Sequence, residues 1–299
     1  MPEGHLIHRL AESLTDAFAG HPVRVTSPQG RFAASAALID GSVLTGAEAW
    51  GKHLFITFDA GQLPDVPAGA GQAASEGVGA PCILHVHLGL IGRFQVAEPH
   101  PVVGQVRVRI ADSDTRAGTG HVADLRGPQT CRLLTVEEKA QVIDALGADP
   151  LRADADPEVA WRRIHASSRS IASLLMDQRV TAGVGDIYRC EVLFRHHLNP
   201  LLEGRNLRRD VWNELWADLR VLMAAGFETG RIDTVRPEHM PEAMGRPPRV
   251  DRHGGEVYVY RRAGDPCLVC GRPVSMTTLD GRNLYWCTHC QPRRRGRAS

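Results

Sequence analysis

Residues 267–290 read CLVCGRPVSMTTLDGRNLYWCTHC, and this stretch contains two Cys-x-x-C pairs joined by a short spacer. Paired cysteines at this spacing are typical of a structural zinc site, because four thiolates satisfy the tetrahedral preference of Zn²⁺ and leave no position for water. A disulfide pair or unrelated thiols are the alternative. The sequence therefore predicts one structural zinc ion, with the ligands Cys267, Cys270, Cys287 and Cys290.

The spacer between the two pairs has the pattern of a β-hairpin. Asp280-Gly281 is a turn dipeptide between two runs that favour strands. Arg282 follows the turn directly, where its guanidinium could reach a phosphate or a flipped nucleotide. A solvated turn residue is the alternative for Arg282.

The opposite end of the chain can supply a nucleophile. It starts Met1-Pro2-Glu3, and removal of Met1 would leave Pro2 with a free secondary amine, which forms an iminium ion with an aldehyde-like carbon. The apolar spacing that follows predicts a helix from Glu3 to Phe18, with Pro2 at its first position. The positive end of this helix disfavours the protonated amine and favours the carboxylate of Glu3. A Met-Pro start without a function is the alternative.

Lysine is rare, which limits other Schiff-base mechanisms. Lys52 and Lys139 are the two lysines of the sequence. Lys52 precedes a strand-like run, whereas Lys139 lies in a polar helical stretch where a solvated face is expected.

Composition gives the broad class. A chain of 299 residues is long enough for two or three domains. No apolar run is long enough for a membrane span, and the start is not a signal peptide, so a cytoplasmic protein is expected. The formal net charge of +1 does not by itself indicate a nucleic-acid partner. The basic run at 293–297 is either a solvated tail or a DNA contact.

The patterning changes along the chain. Strand-like runs come first, interrupted at 61–80 by a stretch rich in Gly, Ala and Pro that predicts an inserted loop. Helical spacing begins at Val136, and residues 171–195 predict a helix, a glycine-containing turn and a second helix from Asp186. The N–H groups at the start of this second helix suit an anion such as a DNA phosphate, although such turns are common without a ligand.

Six motifs of the chain follow one another in the same order as in a known family of proteins. They are MPEGH at 1–5, GKHLF at 51–55, HLG at 87–89, LGADPL at 146–151, the turn and helix at 183–194, and the four-cysteine hairpin. Together they resemble the formamidopyrimidine-DNA glycosylase and endonuclease VIII family of bifunctional base-excision repair enzymes. The resemblance covers nearly the whole chain apart from 61–80. Residues 257–264 and 285–287 are closer to the endonuclease VIII branch, particularly its actinobacterial members.

The resemblance implies an α+β fold. An N-terminal β-sandwich with an N-terminal helix would occupy residues 1–135, followed by a hinge at 136–151. A helical helix–two-turns–helix domain would occupy 152–263, a β-hairpin zinc finger 264–292, and a basic tail 293–299. The implied partner is damaged DNA, with structural Zn²⁺ as the one cofactor, no small-molecule cofactor, no membrane and a monomeric state.

The resemblance also implies a mechanism, in which the damaged nucleotide is flipped out of the duplex. Pro2 would attack C1′ of its sugar, and Glu3 would assist opening of the sugar ring. Lys52 would contact phosphate and assist the first elimination, and Arg282 would assist the second. Arg126 would contact the DNA backbone.

The loop after His87 corresponds to a loop of the family's enzymes that fills the gap left in the duplex by the flipped base. Leu90 or Ile91 would be the inserted side chain here. Oxidised pyrimidines are the expected lesions, and oxidised purines are the alternative.

One position departs from the family. The DNA-contacting turn normally has asparagine where this chain has Asp186, and an ionised carboxylate repels a phosphate instead of donating to it. Asp186 would therefore weaken DNA binding or serve as a helix N-cap. A relative that binds damaged DNA without cutting it is thus the alternative function, and a zinc-ribbon transcription factor is a more distant one.

Overall fold

The computed structural model describes residues 2–59, 82–112, 120–251 and 254–293. The predicted loop at 61–80 and the tail beyond residue 293 lie outside these ranges. The chain divides into two compact units. The first, here called the N-terminal unit, comprises Met1–Pro2 and Ile7–Asp144, and the second, the C-terminal unit, comprises Glu3–Leu6 and Ala145–Ser299.

The N-terminal unit is built mainly of short strands. Helix α1 spans Gly4–Phe18, and its residues from Ile7 onward belong to this unit. The strands are β1 (His21–Thr26), β2 (Val43–Trp50), β3 (His53–Asp59), β4 (Cys82–His87), β5 (Arg93–Ala97), β6 (Val108–Asp112), β7 (Val122–Arg126) and β8 (Thr130–Leu134), with the helices α2 (Ala33–Ile39) and α3 (Val136–Asp144).

These strands form one antiparallel ladder in the order β5-β7-β6-β1-β2-β3-β4-β8. Strand β1 is the junction, because it pairs with β2 on one side and with β6 on the other. Buried side chains from both halves of the ladder share a single core with α1 and α2. A shared core between two sheet halves agrees with the predicted sandwich layer.

Helix α1 begins later than the sequence predicts. The backbone N–H of Leu6 donates to the Glu3 carbonyl at 3.0 Å, so Glu3 provides the first acceptor and Pro2 precedes the helix. The buried stripe of the helix consists of Ile7, Leu10, Ala11, Leu14 and Phe18. This spacing of three and four residues is that of one helix face.

The C-terminal unit is mainly helical and ends in a hairpin. Its helices are α4 (Pro157–His165), α5 (Ile171–Met176), α6 (Asp186–Arg195), α7 (Arg209–Thr229) and α8 (Pro241–Met244), and its strands are β9 (Ser275–Leu279) and β10 (Arg282–Trp286). The predicted turn is confirmed, since Asp280 and Gly281 both have positive φ angles, of 51° and 72°, as a type I′ turn requires. Among the described residues, no helix is long and apolar enough to cross a membrane.

Helix α6 lies at the centre of this unit. Every residue from Asp186 to Phe194 is buried, and the helix packs against α5, α7 and β10. A helix buried on all sides is normally apolar throughout. This one nevertheless carries Asp186, Arg189 and Glu191, and buried charges require partners.

Three of the partners of Glu191 lie in the segment directly before the zinc finger, and the fourth is Thr234. Its Oε1 accepts N–H bonds from Val259 at 2.9 Å and Tyr260 at 2.8 Å. Its Oε2 accepts from the N–H of Tyr258 at 2.7 Å and from the hydroxyl of Thr234 at 2.6 Å. One carboxylate therefore fixes three consecutive backbone amides to helix α6.

Replacement of this carboxylate should destabilise the C-terminal unit. We expect Glu191→Ala to lower the free energy of unfolding by about 3–5 kcal/mol, because it leaves several buried donors without an acceptor. The exposed Glu214→Ala on α7 is the matched control. Urea unfolding followed by tryptophan fluorescence reports mainly on this unit, since it contains four of the five tryptophans, Trp161, Trp212, Trp216 and Trp286. Equal midpoints for the two variants would contradict the assignment.

Candidate active site

The carboxylate of Glu3 is fully buried at the start of helix α6. Its Oε2 accepts the N–H of Gly185 at 2.8 Å, and its Oε1 accepts the N–H of Ile187 at 2.8 Å. The N-terminus of a helix stabilises an anion through such N–H groups and through its dipole. These two groups, predicted from sequence to suit a DNA phosphate, are therefore bound to a carboxylate of the protein itself.

The glycines of the turn make this approach possible. A Cβ atom on Gly185 would lie 2.3 Å from Cδ of Glu3, and one on Gly4 would lie 2.8 Å from Cα of Gly183. The N–H of Gly4 also donates to the carbonyl of Gly183 at 2.9 Å. Side chains at these positions would thus separate Glu3 from α6.

Asp186 is not the N-cap that the sequence suggested. Gly185 occupies the cap position, and Asp186 is the first residue of α6. The Oδ1 atom of Asp186 accepts a hydrogen bond from Nη2 of Arg189, which also donates to the carbonyl of Asn283 at 2.9 Å. Both charged side chains are buried. The negative charge of Asp186 is therefore compensated within the protein.

Arg282 and Tyr260 belong to the same unit. Arg282 is the first residue of β10 and pairs with Leu279 across the hairpin. Burial raises the pKa of the Tyr260 phenol to about 12, and the charges of Asp186 and Glu3 raise it further while Arg261 opposes them. At neutral pH this phenol is protonated and able to donate a hydrogen bond.

Arg189 and Glu191 are not among the residues predicted from the sequence. Arg189 lies three residues after Asp186, a spacing at which oppositely charged side chains meet on a helix. Glu191 interrupts an apolar run, and a charge in that context predicts a buried carboxylate with several donors. Both signals were present, but the partners of Glu191 are distant in sequence.

The four cysteines of the hairpin region form a compact group. Their Sγ atoms all lie within 4.8 Å of one another, with 3.9 Å between Cys267 and Cys290 and 3.5 Å between Cys270 and Cys287. A tetrahedral Zn²⁺ with Zn–S bonds of the usual length separates its sulfur ligands by about 3.8 Å. The group fits one structural zinc ion, as predicted.

In the N-terminal unit, Lys52 lies in the tight turn between β2 and β3, after Gly51 with a φ angle of 60°. The paired strands β3 and β4 place three histidines on one side of this turn, and Nδ1 of His53 lies 2.9 Å from Nε2 of His85. Burial lowers the pKa of His87, the positive charge of Lys52 lowers it further, and a hydrogen bond with Gln129 opposes the shift.

These histidines are neutral at physiological pH. Burial lowers the pKa of His53 to about 3, with further contributions from His87, His85 and Lys52. Burial, with a contribution from Arg132, lowers the pKa of His85 to about 4. Neutral rings can share one hydrogen bond, whereas two imidazolium ions at this distance would repel each other.

Acid should consequently destabilise the N-terminal unit. Unfolded histidines gain protons below pH 6.5, whereas His53 and His85 in the folded state do not until about pH 4, so stability falls as pH drops through this window. From about pH 8 to about pH 5 each should cost about 2 kcal/mol. His53→Gln should reduce this pH dependence, because it removes one of the histidines whose pKa is lowered on folding, and the exposed His21→Gln should not. Urea unfolding followed by pulsed hydrogen exchange in β3 and β4 measures it, and an unchanged slope in His53→Gln would contradict the cause.

The sequence predicted a solvated face for the other lysine, Lys139, and this prediction is wrong. Lys139 forms an ion pair with Glu48, and its side chain is only 18% exposed. Its Nζ also lies 5.6 Å from the centre of the Phe55 ring, where a cation interacts with the aromatic face. Lys139 thus has a structural role within the N-terminal unit.

Arg126 lies at the end of β7 in a network of charged groups. Its Nη2 donates to Oδ2 of Asp124 at 2.7 Å and to the carbonyl of Val103 at 3.2 Å. Burial alone would raise the pKa of Asp124, but its bonds to Arg109 and Arg126 lower it below the ordinary value. The Arg126 side chain remains 30% exposed, so its guanidinium is both held and accessible.

Leu90 and Ile91 follow β4 in a turn and project into solvent. They are 60% and 83% exposed, which is unusual for large apolar side chains. Both are thus available to a partner.

Comparison with known proteins covers most of the chain. The formamidopyrimidine-DNA glycosylase N-terminal domain matches residues 1–131, the formamidopyrimidine-DNA glycosylase H2TH domain matches 146–236, and the zinc finger found in FPG and IleRS matches 264–293. "Endonuclease 8 1" of Mycobacterium tuberculosis is 45% identical over 301 residues, which cover 97% of this chain and 100% of the relative. The chain belongs to the formamidopyrimidine-DNA glycosylase and endonuclease VIII family. It is a DNA glycosylase with AP lyase activity, a base-excision repair enzyme.

Solved structures share the fold of this glycosylase. The MutM (Fpg) protein of Thermus thermophilus superposes with a TM-score of 0.68 at 25% identity, covering 97% of this chain and 98% of the other. The Lactococcus lactis Fpg in complex with DNA containing N7-benzyl-Fapy-dG has a TM-score of 0.73 at 17% identity, with coverage of 98% and 100%.

The position of Glu3 in the glycosylase can be tested through Gly185. We expect Gly185→Ala to slow strand cleavage at an abasic site about 100-fold, because the added Cβ displaces the Glu3 carboxylate from α6. Gly46→Ala is the matched control, since a Cβ there meets nothing within 4 Å. Single-turnover cleavage of an end-labelled oligonucleotide measures both rates. Similar cleavage rates for the two variants would contradict the expectation that cleavage depends on the position of the Glu3 carboxylate.

Proposed function

We propose that this glycosylase removes oxidised pyrimidines from DNA and then cuts the strand by successive β- and δ-elimination. The 45% identity to a relative named "Endonuclease 8 1" over its whole length supports this substrate class. Oxidised purines are the second candidate, because the DNA bound by the Lactococcus lactis relative carries a modified dG. The enzyme acts as a monomer on bacterial DNA in the cytosol.

The nucleophile is the secondary amine of Pro2 after removal of Met1. Its nitrogen attacks C1′ of the sugar, the bond from C1′ to the base breaks, and an iminium ion links the sugar to the protein. The observation that carries this proposal is the burial of Glu3, whose two carboxylate oxygens each accept a backbone N–H bond at 2.8 Å. Because Pro2 is bonded directly to Glu3, fixing this residue restricts the position of the amine.

Glu3 is the acid–base group of the ring-opening step, since its carboxylate can exchange a proton or hydrogen bond with the ring oxygen of the sugar. Its two backbone bonds orient the carboxylate before substrate binds. Such preorganisation is a general source of rate enhancement.

Strand cleavage follows in two steps. Loss of a proton from C2′ expels the phosphate on the 3′ side, and loss of a proton from C4′ then expels the phosphate on the 5′ side. Lys52 binds the phosphate near the lesion and assists the first elimination, and Arg282 assists the second. Both carry the positive charge that stabilises a departing phosphate.

The remaining residues bind the duplex. Arg126 contacts the DNA backbone with the exposed part of its guanidinium. Leu90 and Ile91, as exposed apolar side chains, fill the space of the flipped nucleotide. Asp186 is part of the DNA-contacting turn, and its pairing with Arg189 supports an active enzyme because it offsets the charge that would repel phosphate.

Borohydride trapping tests this function. The purified chain should form a covalent adduct with an oligonucleotide carrying an abasic site or thymine glycol. Adduct formation with 8-oxoguanine should be about tenfold slower, which is the usual effect of a pocket fitted to another base. Glu3→Gln should trap far less on thymine glycol, because it keeps the shape but loses the proton-transfer group.

A chain with one extra residue before Pro2 is the matched control, since its proline nitrogen is an amide. Mass spectrometry must show that Pro2 is the first residue of the test chain. Absence of any adduct from a chain with free Pro2 would refute the proposed nucleophile, and faster trapping on 8-oxoguanine would favour the purine alternative.

A further inference from the structure

We propose that Arg189 is a positioning residue that holds the strand carrying Arg282 against the helix end that binds Glu3. This inference rests on the proposed roles of Glu3 and Arg282. Arg189 itself is 1% exposed and does not reach DNA. Its effect is exerted through the backbone of β10, next to Arg282.

The contacts of Arg189 join two parts of the C-terminal unit. One contact is with the carboxylate of Asp186, in the first turn of α6. The other is with the carbonyl of Asn283 at 2.9 Å, in strand β10. Both are made by the same nitrogen, Nη2, so the position of the strand and the position of the carboxylate are set by one atom.

Each end of this connection lies beside a proposed active-site residue. Asp186 lies between Gly185 and Ile187, whose N–H groups bind Glu3. Asn283 directly follows Arg282 in the sequence and in the strand. A shift of β10 relative to α6 would therefore move Arg282 relative to Glu3.

The position of the guanidinium depends on these two acceptors. The Nε atom of Arg189 is buried and has no hydrogen-bond partner among the described residues. Asp186 supplies the charge that makes burial of the guanidinium tolerable, since an unpaired buried charge is strongly destabilising. The buried pair of Asp186 and Arg189 therefore contributes to the site through the hydrogen bond from Arg189 to the carbonyl of Asn283.

Arg195 provides a matched control on the same helix. Its guanidinium pairs with Asp218 through two bonds of 2.7 Å and donates to the carbonyl of Thr234 at 2.6 Å. It thus has the same combination of one carboxylate and one backbone carbonyl. Its partners, however, are not in the hairpin.

The test compares Arg189→Met with Arg195→Met on an end-labelled oligonucleotide carrying an abasic site. The product of the first elimination ends in an unsaturated aldehyde, and that of the second ends in a 3′ phosphate, so the two are separated on a gel. We expect the ratio of second to first product to fall about tenfold in Arg189→Met, as a small displacement of a charged group does. Arg195→Met should keep the wild-type ratio, although both variants unfold at lower urea concentration.

The double variant Asp186→Asn with Arg189→Met separates positioning from stability. Removing both charges should raise the unfolding midpoint above that of Arg189→Met, because the buried carboxylate that loses the guanidinium is removed as well. The product ratio should stay low, since Asn283 still lacks its donor. A wild-type ratio in Arg189→Met or in the double variant, or an equal fall in Arg195→Met, would overturn the positioning role.

Failure of the underlying function gives a different result. If the wild-type protein forms a trapped adduct but no product of the second elimination, the positioning role is wrong while the Pro2 nucleophile stands. If the wild-type protein with free Pro2 forms no adduct at all, the proposed function fails and the inference fails with it.

Discussion

The burial of one carboxylate, that of Glu3, is the interaction on which the rest of the structure depends. A charge without exposure to water needs compensating dipoles, and the first turn of α6 supplies them through the N–H groups of Gly185 and Ile187. This requirement explains why positions 185 and 4 are glycine. A side chain on Gly185 would collide with Glu3, and one on Gly4 would collide with Gly183 of the turn.

The same helix connects the buried carboxylate to the zinc finger. Glu191 holds three consecutive amides of the segment before the finger, and Arg189 holds the carbonyl of Asn283 within it. A finger of this size has too small a core to fold alone, so the metal and these contacts share the task of ordering it. The zinc ion therefore stabilises the hairpin internally, whereas α6 determines where the hairpin is held.

Much of this was predictable from sequence because the signals are local. The hairpin turn at Asp280, the cysteine spacing and helix α6 are each encoded within a few residues. The exact start of α1, the pairing of Lys139 with Glu48 and the anion bound at α6 were not predictable. They depend on residues distant in sequence, such as Glu3 and Gly185, and no periodicity indicates which donor a buried acceptor will meet.

The buried pair of Asp186 and Arg189 has a consequence for how the sequence can change over time. Exchange of either residue alone removes the opposite charge that compensates the other in the interior, so each single step lowers stability. Exchange of both together leaves neither charge to be compensated and costs less. Residues 186 and 189 should therefore covary within the family. A sequence with asparagine in place of Asp186 is expected to lack the arginine that is Arg189 here.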